Sequence, residues 1–212
     1  MLNDRNRVCP VGLAASLESK IRRWLQDPHK ILLPFVREGM TALDIGCGPG
    51  FFSIELAKMV GKTGKVVAAD LQDGMLQRLS LKVRGTELEE RIHLVKCQQD
   101  EISVSEKIDF GLAFWMVHEV PDQQSFFKQL KAISNETAKI LLVEPKLFHV
   151  SRNEFEATIA LAQHAGFVAG RGPRLLLCWS AVLENPVAEL TIVDALRPNR
   201  IHEDSTELRR SR

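Results

Sequence analysis

The fold expected of this chain is α/β, with a doubly wound, mostly parallel sheet in three layers, and three features predict it. Short apolar runs rich in β-branched residues alternate with stretches of helical periodicity, the pattern of strands buried on both faces beneath covering helices. The turn after the first run is glycine-rich, Asp44-Ile45-Gly46-Cys47-Gly48-Pro49-Gly50. The last two apolar runs are separated by little more than Gly172-Pro173, too little for a crossover helix, so they must pair as an antiparallel hairpin.

Leu13 to Gln26 places Leu13, Leu17, Ile21, Trp24 and Leu25 on one helical face and predicts an amphipathic helix. Asp27-Pro28 reads as N-cap and first position of a short second helix through Ile31, Leu32 and Leu33. Thr41 to Gly46 is the first strand, followed by a helix from about Phe51 to Val60. Lys65 to Asp70 is the second strand, followed by a helix that presents Met75, Leu76, Leu79 and Val83 together. Ile92 to Cys97 and Phe110 to Trp115 are the third and fourth strands. Pro121-Asp122 then opens a helix carrying Phe126, Phe127, Leu130 and Ile133. Lys139 to Glu144 is a fifth strand, Glu154 to Ala165 a helix ended by Gly166, and Phe167 to Ala169 with Leu175 to Leu183 the hairpin. This divides the chain into an N-terminal helical cap (1–38), one α/β domain (39–186) and a polar, Arg-rich tail (187–212) expected to be flexible.

Composition narrows the functional classes. The chain has 212 residues, 28 Lys+Arg against 27 Asp+Glu and 45% hydrophobic residues, so it is globular and carries no broad electrostatic drive toward nucleic acid or anionic lipid. No apolar run reaches the roughly 18 residues that a membrane span needs. Cys9, Cys47, Cys97 and Cys178 are scattered, without a CxxC pair, which argues for reduced thiols in a cytoplasmic protein and against a metal site. The apolar stretch Val8 to Ala15 is too short and too interrupted by Pro10 and Gly12 to read as an export signal.

The glycine turn carries the chemical signal. Glycines at 46, 48 and 50 let the backbone bend sharply and approach a ligand. A dinucleotide loop reads GxGxxG and a phosphate loop ends in Gly-Lys-Ser/Thr. Neither is present, which disfavours a nicotinamide-dependent oxidoreductase. Asp44 just upstream would repel a pyrophosphate and suit a ligand with positive charge.

In these residues, and over roughly Met40 to Leu183, the chain resembles the class I S-adenosylmethionine-dependent methyltransferases. DIGCGPG looks like that family's first motif, in which the acid and the glycine backbone hold the amino-acid end of the cofactor. The resemblance implies a Rossmann-like, seven-stranded sheet, S-adenosyl-L-methionine as cofactor, and contacts to it from Asp44, Gly46, Cys47, Gly48 and Gly50. It also implies that Asp70, ending the second strand, accepts hydrogen bonds from both ribose hydroxyls, which a carboxylate's two oxygens suit. Capping the next helix is the other role open to Asp70. Leu71 is expected on the adenine face. An acid after the third strand reads the adenine amino group in the family. Here Gln98 stands at that place with Asp100 two positions on, and either offers an oxygen acceptor. The backbone at Phe114 corresponds to the part lining the cofactor's methionine end.

The substrate side follows the fourth strand, where open α/β sheets place ligands. His118 is a candidate general base, with Glu119 orienting it or binding a cation, although both could simply begin the next helix. A base is needed only for a nucleophile that arrives protonated. FWMVHEV lacks the [DNS]PP[YFW] motif of amino-methylating DNA enzymes and the Pro-Cys of cytosine C5 enzymes, so nucleic acid is not the expected substrate. The expected activity is methyl transfer to a small molecule, with cofactor binding without turnover as the alternative.

Overall fold

A computed structural model describes residues 26–146 and 150–186. The expected helix before Gln26 and the Arg-rich tail from 187 onward lie outside the described residues, as does Cys9. The first described helix, α1 (Pro28–Leu32), starts as its sequence directs. Asp27 caps it by accepting from the backbone N–H groups of His29 and Lys30, and Pro28 occupies the first turn.

Five parallel strands follow: β1 (Thr41–Ile45), β2 (Lys65–Asp70), β3 (Ile92–Lys96), β4 (Ile108–Phe114) and β5 (Ser134–Pro145). Between them run α2 (Ser53–Met59), α3 (Asp73–Val83) and α4 (Gln123–Ile133). After α5 (Arg152–His164), β6 (Val168–Arg171) and β7 (Cys178–Glu184) form the expected hairpin. β7 returns antiparallel to β5, so the seven-stranded sheet has the order β3-β2-β1-β4-β5-β7-β6.

The central strands read as unbroken apolar runs because both faces are covered. In β2, Val66 and Ala68 point to one core with Leu56 of α2 and Leu79 of α3, while Val67 and Ala69 point to the other. In β5, Leu141 and Val143 join the first core, and Ile140 and Leu142 join the second with Phe127 and Leu130 of α4. Each strand thus seals two layers at once. The four predicted core residues of α3, and the four of α4, are all buried. Burying one such side chain is worth about 1.5–3 kcal/mol relative to leaving it in water.

Strand boundaries depart from the sequence reading where side chains redirect the chain. β4 starts at Ile108 and β5 directly after α4, with a register shift between Ile108 and Phe110. Asp109 stitches this early pairing: it accepts from the Asn135 side chain and from the backbone of Thr41. The hairpin loop spans 172–177 rather than a two-residue turn. β7 runs past the end of β6 because its other edge still pairs with β5, as far as Pro145 opposite Cys178.

Candidate functional site

β1 has β2 on one side and β4 on the other, and the chain's direction of winding reverses there. In open α/β sheets the carboxyl ends of the strands at such a point form a crevice. A cavity of about 510 Å³ lies there, lined from Asp44 through Pro49, by Asp70 to Gln72, by Cys97 to Ile102, and by residues following β4.

The glycine turn is built from backbone that only glycine adopts readily. Gly46, Gly48 and Gly50 all have positive φ, at 71°, 53° and 91°. Their surroundings give them different tasks. A Cβ on Gly46 would stand 2.8 Å from the Cβ of Met116, so Gly46 lets the turn pass close beneath the segment after β4. A Cβ on Gly50 would meet Leu79 Cδ1 at 2.3 Å, which makes Gly50 the seat of α3. Gly50 does not line the cavity, contrary to its expected place among the cofactor contacts. A Cβ on Gly48 meets nothing within 4 Å, and Gly48 does line the cavity.

The turn is tied to the end of β2. The N–H groups of Gly46 and Cys47 both donate to the carbonyl of Ala69, and Gly48 N–H donates to Asp70 Oδ2 at 2.8 Å. Asp70 Oδ1 accepts from Gln72 N–H at 2.8 Å. Asp70 is therefore not the N-cap of α3, whose cap position is Gln72, but a bracket between β2 and the glycine turn. Burial pushes its carboxyl above the usual aspartate value, only partly offset by the N–H donors of Gln72 and Gly48. Asp44, at the other wall, is 2% exposed and accepts from Ser53 Oγ at 2.5 Å. Ser53, the first residue of α2, has no exposed surface and was not singled out by the sequence reading.

Cys47 and Cys97 flank the same corner. Burial, followed by the charges of Asp44 and Asp70, raises the Cys47 thiol well above its ordinary value. Burial pushes Cys97 to about 12, with Asp70 adding to it. Both are neutral, weakly nucleophilic thiols. Among the described residues no group of three or more His, Cys, Asp or Glu side chains could hold a metal ion.

Leu71, Gln98 and Asp100 all reach the cavity rim. The 98–102 loop is held by Gln129 of α4, which donates to the carbonyl of Asp100 and accepts from Ile102 N–H. Phe114 closes the floor, with its ring 4.5 Å from that of Phe52 and 5.5 Å from that of Trp115.

His118 and Glu119 line the cavity on a short 3₁₀ turn (Val117–Glu119) rather than starting the next helix. The partner expected for His118 is corrected. Glu119 Oε1 lies 4.0 Å from Nε2, beyond hydrogen-bond distance, whereas Glu144 Oε2 lies 2.5 Å from Nδ1. Glu144 Oε1 accepts the backbone N–H groups of Val117 and His118, at 2.8 and 3.2 Å. With 1% of its surface exposed, this carboxylate is the organising group of the turn.

The ligand implied by the resemblance can be tested against this wall. It offers an open glycine face at Gly48, a buried carboxylate at Asp44 for an ammonium group, and Asp70 for a sugar. Asp70 accepts from the N–H groups of Gln72 and Gly48, with Leu71 N–H also acting on it, and a carboxylate has about four acceptor sites, so capacity remains for a ribose hydroxyl. The residues fit S-adenosylmethionine, the cofactor of the class.

A seven-stranded sheet of this order, closed by an antiparallel hairpin and bearing an acidic glycine turn at its reversal, is the arrangement of the class I S-adenosylmethionine-dependent methyltransferases, and the chain is similar to that family. A family model described as "Methyltransferase domain" matches residues 42–137, from β1 into β5. The chain is 29% identical over 124 residues to a demethylmenaquinone methyltransferase of Oceanobacillus iheyensis, covering 58% of this chain and 51% of that one. It is 30% identical over 115 residues to the protein of that name from Lactobacillus johnsonii, covering 51% and 45%. The chain thus spans about half the length of the curated relatives it matches. Among solved structures, a SAM-dependent methyltransferase from Aquifex aeolicus superposes with a TM-score of 0.74 at 27% identity, covering 83% of this chain and 98% of that one. A SAM-dependent O-methyltransferase from Thermotoga maritima shares the fold, with a TM-score of 0.59 at 18% identity, covering 76% and 66%. No described helix is long and apolar enough to cross a membrane.

Proposed function

We propose that this protein transfers a methyl group from S-adenosylmethionine to a small, uncharged acceptor. The observation that carries the reading is the make-up of the cavity. Its glycine turn is bracketed by two buried carboxylates, Asp44 and Asp70, and no lysine or arginine lies among its described lining residues. Such a wall attracts a ligand with net positive charge and disfavours a polyanion such as a pyrophosphate.

Bound there, S-adenosylmethionine supplies a methyl group on a sulfonium centre that leaves as a neutral thioether. Asp44, steadied by Ser53, holds the ammonium group of the amino-acid end. Gly46, Cys47 and Gly48 let backbone approach it closely, and Asp70 takes the ribose hydroxyls. Leu71 covers the adenine face, while Gln98 or Asp100 accepts from its amino group. Phe52, Phe114 and Trp115 form an apolar floor that excludes water and aligns the acceptor. Positioning of this kind is worth about 7–11 kcal/mol of a barrier. The curated relatives are named for demethylmenaquinone, an acceptor of the uncharged kind this cavity suits.

Calorimetry is the first test. Binding of S-adenosylhomocysteine with no binding of NAD is expected, and the reverse would overturn the reading. A methyl-labelled cofactor offered with phenols, amines, thiols and carboxylates then separates turnover from binding alone.

A further inference from the structure

We propose that Glu144 is a positioning residue that holds His118 as the proton acceptor for a neutral hydroxyl group on an apolar ring. The inference rests on the methyl-transfer reading above and adds to it the class of acceptor and the group that receives its proton.

The titratable side chains lining the cavity are mostly acidic. Asp44, Asp70, Asp100, Glu101, Glu119 and Asp122 line it, and His118 is the basic side chain among its described lining residues. A preformed phenolate or thiolate entering this field meets acidic side chains and no lysine or arginine among the described lining residues. An acceptor therefore enters with its proton on and must lose it inside. The apolar floor made by Phe52, Phe114 and Trp115 suits a ring.

Glu144 determines which imidazole nitrogen is basic. An ionised carboxylate only accepts, so its 2.5 Å contact requires the hydrogen on Nδ1 and leaves the basic lone pair on Nε2. Val117 and His118 N–H groups fix the carboxylate itself, so the ring cannot drift with it. Nε2 is on the side of Glu119, itself a cavity residue. The charged groups facing the imidazole are then Glu144 from β5 and Glu119 from its own turn, with Asp122 lining the same cavity. The proposed step is a proton transfer. The acceptor's O–H bond breaks, its electron pair stays on oxygen, and the proton bonds to Nε2. The resulting imidazolium is stabilised by the Glu144 carboxylate across Nδ1.

Nitrogen-15 NMR of the histidine-labelled full chain tests this without turnover, with the His118 signal assigned by its loss in His118→Asn. In the wild type the neutral ring is expected as the Nδ1–H form. In Glu144→Gln the amide oxygen keeps the two backbone N–H groups while its NH₂ faces Nδ1, which converts the ring to the Nε2–H form and lowers its pKa. With S-adenosylmethionine and 2-naphthol as the probe acceptor, Glu144→Gln should lose transfer by on the order of 10²–10⁴-fold. Its acid limb should move to lower pH while S-adenosylhomocysteine affinity is kept. Glu144→Asp, which retains the charge, should preserve the Nδ1–H form and recover part of the rate, and it serves where the amide variant does not fold. An Nε2–H ring in the wild type, or a Glu144→Gln chain with unaltered tautomer and pH profile, overturns the positioning role. Methylation of benzoate in preference to 2-naphthol overturns the acceptor class. Loss of S-adenosylhomocysteine binding in the wild type instead defeats the methyl-transfer reading, and the NMR result on the ligand-free chain stands apart from it.

Discussion

Asp70 carries two duties that pull its ionisation in opposite directions. As a bracket it is buried, and its carboxyl is raised above the ordinary aspartate value. A carboxyl raised in the folded state adds stability that is fully present below the unfolded value, about 3.9, and is lost as pH rises through the folded value. Hydrogen bonds from ribose hydroxyls favour the charged form instead. Affinity for S-adenosylhomocysteine should thus tighten as pH rises through the acid range, and titration calorimetry at several pH values would show a flat profile if Asp70 is not the ribose acceptor. Replacing Asp70 with alanine removes a charged acceptor and should weaken that binding by roughly 1–3 kcal/mol. Cys47 and Cys97 are held as neutral thiols by burial. In the folded chain at pH 8 both should resist alkylation, and mass spectrometry should find them modified only after unfolding.

At the scale of elements, Gly48 and Gly50, only two residues apart, serve different purposes and can be told from each other. Gly50→Ala forces a Cβ into Leu79 and keeps a left-handed φ, so α3 must shift off the turn. Overpacking of this sort costs about 1–3 kcal/mol, to which the strained φ adds about 1–2 kcal/mol. A thermal melt should therefore drop by several degrees. Gly48→Ala meets no atom and carries the φ cost alone, but its methyl group stands in the cavity. It should lose cofactor affinity out of proportion to its stability, and the comparison of melting with calorimetry separates the two. At the other end of the sheet, α5 opens with a reciprocal capping box between Ser151 and Glu154. Ser151→Ala should cost about 1 kcal/mol in denaturant unfolding without touching ligand binding.

For the molecule as a whole, what could be read from the chain was what lies close along it. The Asp44 turn, the Asp70 strand end and the buried stripes of α3 and α4 are local patterns of period and spacing, and all appear where the sequence placed them. Glu144 was legible as the end of a strand but not as the partner of His118. That pairing exists only because β5 lies beside β4, a neighbour relation created by the fold. Adjacent Glu119 was the natural choice on sequence distance, and the tight 117–119 turn carries it away from Nδ1. Gly50 illustrates a different blindness: a glycine that admits a ligand and one that admits a helix look alike until Leu79 is in place. The ends of the sheet carry a consequence of their own. The outermost strand beside β7 is only four residues long, contains Gly170, and stops one residue before Gly172-Pro173. A foreign strand seeking to extend the ladder finds a rail of only four residues that gives way to Gly172-Pro173, a feature that disfavours edge-to-edge pairing on that flank.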